Sequence, residues 1–230
     1  MFVPPRSTAA ARALEVVQAL QRRFADRLQQ ASRDIGVDTA FSPVTWLRDG
    51  GTHGGGTRLQ ATPSAFLQQA SLNVSQVHYD DLPDKRLASA TALSAIVHPR
   101  NPRAPSLHIH ISLTELRNGD GGWRLMADLN PAIERPADTA AMLAAWRAVA
   151  PELARQAEAK GDAYFHIPAL DRHRGVAHYY LEGFSGESLE QELDLATRFG
   201  QAVVDTYPPL AAAAVLEHPE PSEADRAAQL

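Results

Sequence analysis

The chain has 230 residues, 44% of them apolar and 21% charged, enough for one substantial core in a soluble globular protein. A net charge of −5 argues against a bulk nucleic-acid surface, and the lack of cysteine excludes disulfides, thiolate metal sites and thiol nucleophiles. No run of about 18 apolar residues exists to span a membrane. Met1–Arg6 lacks the apolar stretch of an export signal, so the cytoplasm is the expected compartment.

Ser7 is placed to cap a helix that runs to about Ile35, with Leu14, Val17, Phe24 and Leu28 on one stripe and Gly36 as the stop. Arginines and glutamines fill its wet face. Short strands and turns are expected from Phe41 to Tyr79, including a strand at Leu72–Tyr79 and an exposed, permissive loop at Asp49–Gly56. A phosphate-binding role for that loop is disfavoured, because no Gly-Lys-Ser/Thr follows it. Ala90–Val97 reads as a strand, and Arg117–Gly122 as a hairpin turn leading into a strand at Trp123–Leu129.

Helical composition returns over Asp138–Lys160, where Pro151 either breaks the segment or opens a second helix. A strand near Val176–Leu181 and a helix from Ser188 to Tyr207, interrupted at Pro208-Pro209, complete the pattern. We expect one domain over residues 1–216 and a mobile, Pro- and Glu-rich tail over 217–230. Consecutive strands in the middle with helices at both ends predict an α+β fold: a large antiparallel sheet flanked by helices on both sides.

The chemistry concentrates in Ser94-Ala-Ile-Val-His98-Pro-Arg-Asn-Pro102 and the strand that follows it. There His108, His110, Ser112 and Thr114 alternate with Leu107, Ile109, Ile111 and Leu113, so one face packs and the other shows imidazoles and hydroxyls. His98 can share that space. Imidazoles at such spacing suit acid/base work or, as an alternative, a divalent metal on His98, His108 and His110. With the hairpin register as predicted, Asp128 faces the histidines as an orienting carboxylate or a partner for a cationic intermediate. His166, His173 and His178 match no metal spacing and read as surface or supporting groups.

These residues resemble the oxygen-dependent coproporphyrinogen III oxidase family over roughly residues 40–210. The similar stretches are Gly54-Gly-Gly-Thr-Arg58, Leu72–His78, Leu93–Pro102, Pro105-Ser-x-His108, Asp128-Leu-x-Pro131, Tyr164-Phe165, Arg174-Gly-Val176 and Gln201–Tyr207. The resemblance implies a homodimer and an oxidoreductase of porphyrin and heme biosynthesis. Two substrate propionates become vinyl groups using O2 and no organic cofactor. It further implies Ser94 and His98 as pocket residues, His108 as the acid/base histidine, and Asp128 as a carboxylate facing the pyrroles.

The sequence also departs from the family. Ser112 stands where the family has a carboxylate-binding arginine, and Arg124-Leu-Met-Ala127 replaces a glycine-rich lead into the aspartate motif. The family's C-terminal strand region and its arginine-bearing loop are expected to have no counterpart. Arg58, Arg103 and Arg174 are the candidate substitutes, alongside His110 and Ser112 as substrate contacts. The favoured reading is oxidative decarboxylation of a propionate-bearing pyrrole or tetrapyrrole, with the substrate changed and coproporphyrinogen III a poor one. The alternatives are a non-catalytic binder of a tetrapyrrole or other planar ligand, and a histidine-ligated metal-dependent oxygenase.

Overall fold

Alternation along the central strands decides the architecture. Leu93, Ala95, Val97, Leu107, Ile109, Ile111 and Leu113 all turn to one face and are almost wholly buried. Each large apolar side chain so buried contributes about 1.5–3 kcal/mol, so that face must be covered.

The computed structural model describes residues 2–228. Seven strands form one antiparallel sheet: β1 (Phe41–Leu47), β2 (Gly54–Ala61), β3 (Leu67–His78), β4 (Leu87–Pro99), β5 (Ser106–Leu116), β6 (Gly121–Asn130) and β9 (Ala177–Phe184). Their spatial order follows the chain, because a hairpin or short loop joins each of the first six to the next. Between β6 and β9 lie α2 (Pro136–Val149), α3 (Pro151–Phe165) and a two-stranded ladder of β7 (His166–Ile167) with β8 (Arg172–His173). Pro151 therefore opens a second helix, occupying its first turn, where its missing N–H costs nothing.

Helix α1 (Thr8–Asp34) is capped by Ser7, whose hydroxyl accepts from the Ala10 amide. It packs with α4 (Leu189–Glu217) on the apolar face, where Phe24 meets Tyr207 edge-on at 6.3 Å. Trp146 of α2 contacts Tyr179 on the same face. Gln21 departs from the expected wet face. It sits on the buried stripe and donates to the Thr57 and Leu72 carbonyls at 2.8 and 2.7 Å.

Helix α3 covers the opposite face, but at the β9 end: Tyr164 stacks on Tyr180 at 4.3 Å and Phe165 on His178 at 5.1 Å. Helices thus lie on both sides, unevenly. Toward the sheet centre the polar face is open, with Ile96 42% exposed.

Three expectations are corrected. Gly54–Gly56 belong to β2 rather than a loop. A Cβ on Gly56 would lie 2.1 Å from the Val74 carbonyl oxygen and 2.7 Å from Trp46 Nε1, so close backbone approach rather than flexibility requires glycine. Helix α4 continues through Pro208-Pro209 to Glu217, because Pro208, Ala211, Ala212 and Ala214 are buried against the core, and this packing outweighs the lost helical hydrogen bonds.

The tail, finally, is docked. Helix α5 (Glu223–Ala228) places Asp225 against Arg103, which donates from Nε and Nη2 at 3.0 and 2.7 Å. Asn101 reinforces the dock by donating to the His218 carbonyl at 2.7 Å. Gln229 and Leu230, also assigned to the tail, lie outside the described residues.

Candidate active site

The open face is built from alternate residues of β2, β3, β4, β5, β6 and β9. Ile96, His108, Asp128 and His178 form one row of direct cross-strand partners; Arg58, Asn73, Ser94, His110, Met126 and Tyr180 form the next. The predicted hairpin register holds, and His108 and Asp128 share a face.

Asp128 has no solvent-exposed side-chain surface. Its carboxylate accepts from His108 Nδ1 at 3.1 Å and from Arg174 Nε and Nη2 at 3.1 and 2.9 Å. A buried carboxylate is costly unless paired and hydrogen-bonded, and here both conditions are met. The bond from Nδ1 fixes the imidazole tautomer and leaves Nε2 as the proton-exchanging position. Asp128 faces the guanidinium and the imidazole, not open space. Arg174, expected as a free substrate contact, is committed to Asp128 through two donors while its guanidinium lies 4.7 Å from the Phe165 ring centre.

The loop carrying Arg174 is shaped by Gly175, whose φ of +79° favours glycine and whose Cβ would lie 2.5 Å from the Leu129 carbonyl oxygen. Phe165 accepts the Arg174 amide, and His178 Nε2 contacts the Arg174 carbonyl at 2.6 Å while its Nδ1 meets Asp162 at 2.8 Å. His178 is therefore a buried support of the Arg174 loop. Strand alternation could have revealed it, since His178 falls opposite Asp128 once β9 is paired with β6.

A cleft of about 730 Å³ adjoins this network. His98 and Ser106 line one part of it, and Asn130, Arg172, His173 and Arg174 another. Two side chains join cleft and network: Arg174, and His98, whose ring centre is 5.6 Å from that of His108. His98 Nδ1 is 2.9 Å from the Ser106 hydroxyl. Burial, then the neighbouring His108, holds the His98 pKa below the ordinary histidine value. Sequence reasoning missed Arg172 as a lining residue, and no motif marks it.

The other expected residues are distributed differently. Ser94 and Arg58 border a second hollow of about 420 Å³, with Trp46, Asn73 and Ile96. Arg58 is exposed and makes no ion pair among the described residues. His110 Nε2 is 3.1 Å from the Ser112 hydroxyl, and its pKa is lowered by burial and then by Arg124. Arg103 is taken by Asp225 and does not reach the sheet face as a free cation.

The three-histidine metal reading is corrected. Among the described residues no group of three or more His, Asp or Glu side chains is placed to hold a metal ion. His98, His108 and His110 turn instead to Ser106, Asp128 and Ser112.

Fold and site together define an α+β protein whose open sheet face presents an imidazole–carboxylate–guanidinium network beside a cleft for a small molecule. The model of the family described as coproporphyrinogen III oxidase matches residues 12–225, and the chain belongs to that family. The match extends beyond residues 40–210 to take in most of α1 and the start of α5. The family comprises oxidoreductases of heme biosynthesis acting on a small-molecule tetrapyrrole. Among the described residues, no helix is long and apolar enough to cross a membrane.

Proposed function

We propose that this chain oxidatively decarboxylates a propionate-bearing tetrapyrrole, with O2 as the electron acceptor. The observation that carries the reading is the buried Asp128, held by Arg174 and fixing His108, with Arg174 and His98 linking that pair to the cleft. Each propionate that becomes a vinyl group releases CO2, breaks one C–H bond at the carbon next to the ring and gives up two electrons. O2 takes both electrons and two protons, one from that carbon and one from solvent, to become H2O2.

His108 Nε2 supplies the proton-transfer group, and Asp128 stabilises positive charge that forms on the imidazole. His98, whose pKa is lowered by burial and then by His108, offers a hydrogen-bonding group beside that pair. Arg174 retains Nη1 for a substrate carboxylate after Nε and Nη2 are used on Asp128.

The test is incubation of the purified chain with coproporphyrinogen III in air, following CO2 release, O2 uptake and vinyl products together. Slow turnover that releases one CO2 and consumes one O2 per vinyl group formed, abolished in His108→Gln, is expected. Tight binding without CO2 release would replace this reading with that of a tetrapyrrole-binding protein.

The same reading includes a homodimer and a cytoplasmic setting. Val44 and Leu47 on edge strand β1 are 43% and 45% exposed and offer apolar contact area. Light scattering at micromolar concentration tests the assembly.

A further inference from the structure

Arg124 occupies an informative position on the open face. It is the direct cross-strand partner of Ser112, so its side chain leaves β6 exactly where the β5 position carries only a hydroxyl. The guanidinium is oriented before any ligand arrives: Nη2 donates to Glu182 Oε1, and Glu182 Oε2 accepts the Tyr180 hydroxyl at 2.7 Å. The Tyr180 ring centre lies 5.8 Å from the guanidinium carbon. Arg124 nevertheless remains 39% exposed, with Nε and Nη1 unused by Glu182.

The spacing suits a large planar anion. Four residues along β6 separate Arg124 from Asp128, about 13 Å of strand, and Arg174 is bound at the Asp128 end. Arg58 lies four strands from β6, about 19 Å across the sheet. Three guanidiniums therefore stand around a surface floored by Ser94, Ile96, His110 and Met126.

Resting on the proposed function, we propose that Arg124 is the residue that selects tetrapyrroles with several carboxylates, supplying from β6 the carboxylate anchor that Ser112 does not provide on β5. Glu182 positions the guanidinium and moderates its charge. Exposed ion pairs contribute little net energy, so an incoming carboxylate can share Arg124 with Glu182.

The test uses fluorescence titration of the full chain with coproporphyrin III and, from the same low cosolvent, its tetramethyl ester. Loss of one charged contact should weaken binding about tenfold to a hundredfold. We expect that loss for the acid in Arg124→Gln, little change for the ester, and a smaller loss in Arg124→Lys, which keeps the charge but not the fork. Glu182→Gln should tighten binding of the acid.

Unchanged acid affinity in Arg124→Gln overturns the assignment, as does an equal loss for acid and ester, which would mark a packing role. If the unsubstituted chain binds neither compound, the proposed function itself fails and takes this inference with it.

Discussion

His108 and Asp128 are direct cross-strand partners, and the imidazole Nδ1 donates to a fully buried carboxylate 3.1 Å away. The pairing rests on antiparallel register, so a one-residue slip of β6 against β5 would send Asp128 into the apolar face. Register is fixed by that face, where Leu125, Ala127 and Leu129 oppose Ile111, Ile109 and Leu107. The core thus aligns the reactive groups on the other side of the same strands.

Asp128→Asn should damage both stability and activity. The amide keeps the size of the carboxylate but leaves Arg174 without its countercharge. Breaking a buried pair typically costs about 3–5 kcal/mol. Arg174 is 40% exposed and can recover some hydration, so we expect about 2–3 kcal/mol. For a chain of this size that lowers Tm by roughly 4–12 °C. Calorimetry showing a Tm within about 2 °C of the parent would mean that the pair is not a structural element.

Acid stability should depend on His98 and His110. Burial lowers the pKa of both in the folded protein, whereas in the unfolded chain they ionise near 6.5. Below about pH 6.5 the unfolded state therefore binds more protons, and stability falls as pH falls toward the folded values. His53 has the opposite sign: Asp49 and Asp81 raise its pKa, so its contribution is complete below about 6.5 and is lost as pH rises through the folded value. Denaturant titrations at pH 5, 6 and 7 should give a shallower acid decline for His110→Asn than for the parent. Equal slopes would be inconsistent with a His110 that resists protonation.

Much of this organisation was legible in the sequence because it follows strict periodicities. The alternation of Leu107–Leu113 with His108–Thr114 placed the core and polar faces, and the Arg117–Gly122 turn brought Asp128 opposite His108. The Arg174–Asp128 pair was not legible, since it depends on a loop bent by Gly175 and on the pairing of β9 with β6 across two intervening helices. Pro208-Pro209 and the polar tail misled for a related reason: local propensity says stop or disorder, whereas buried Ala211 and Ala214 and the Arg103–Asp225 pair are tertiary facts. The resemblance pairs Ser94 with His98 and strand alternation adds His110, yet different hollows and hydrogen bonds take these three in space.

Removing the docked end should change the cleft as well as the surface. Ala228 is among the lining residues, and Arg103 loses its carboxylate partner if α5 is absent. A chain ending at Pro219 should show faster proteolysis near Arg103 and weaker tetrapyrrole binding, while the sheet remains folded. Identical digestion patterns and affinities for the two chains would show that α5 neither shields the corner nor contributes to the cleft.

The proline pair supplies the last prediction. Pro208 and Pro209 cannot donate to the carbonyls of Val204 and Asp205, four residues earlier in α4. Pro208 is buried, so its ring is also a packing element, whereas Pro209 is exposed. Pro209→Ala restores a helical N–H without opening a cavity. An interior proline costs a helix about 3 kcal/mol relative to alanine, offset by roughly 0.4–1 kcal/mol because proline also restricts the unfolded chain. Because α4 continues unbroken through this pair, we expect only part of that difference, a net gain of about 1–2 kcal/mol, read as a higher urea midpoint at unchanged m-value. Pro208→Ala should gain less, because it also removes buried ring atoms. A loss of stability in Pro209→Ala would show that α4 is bent at this point for the benefit of its contacts with α1, where Arg23 and Arg27 hold Asp205 at 2.7 and 2.9 Å.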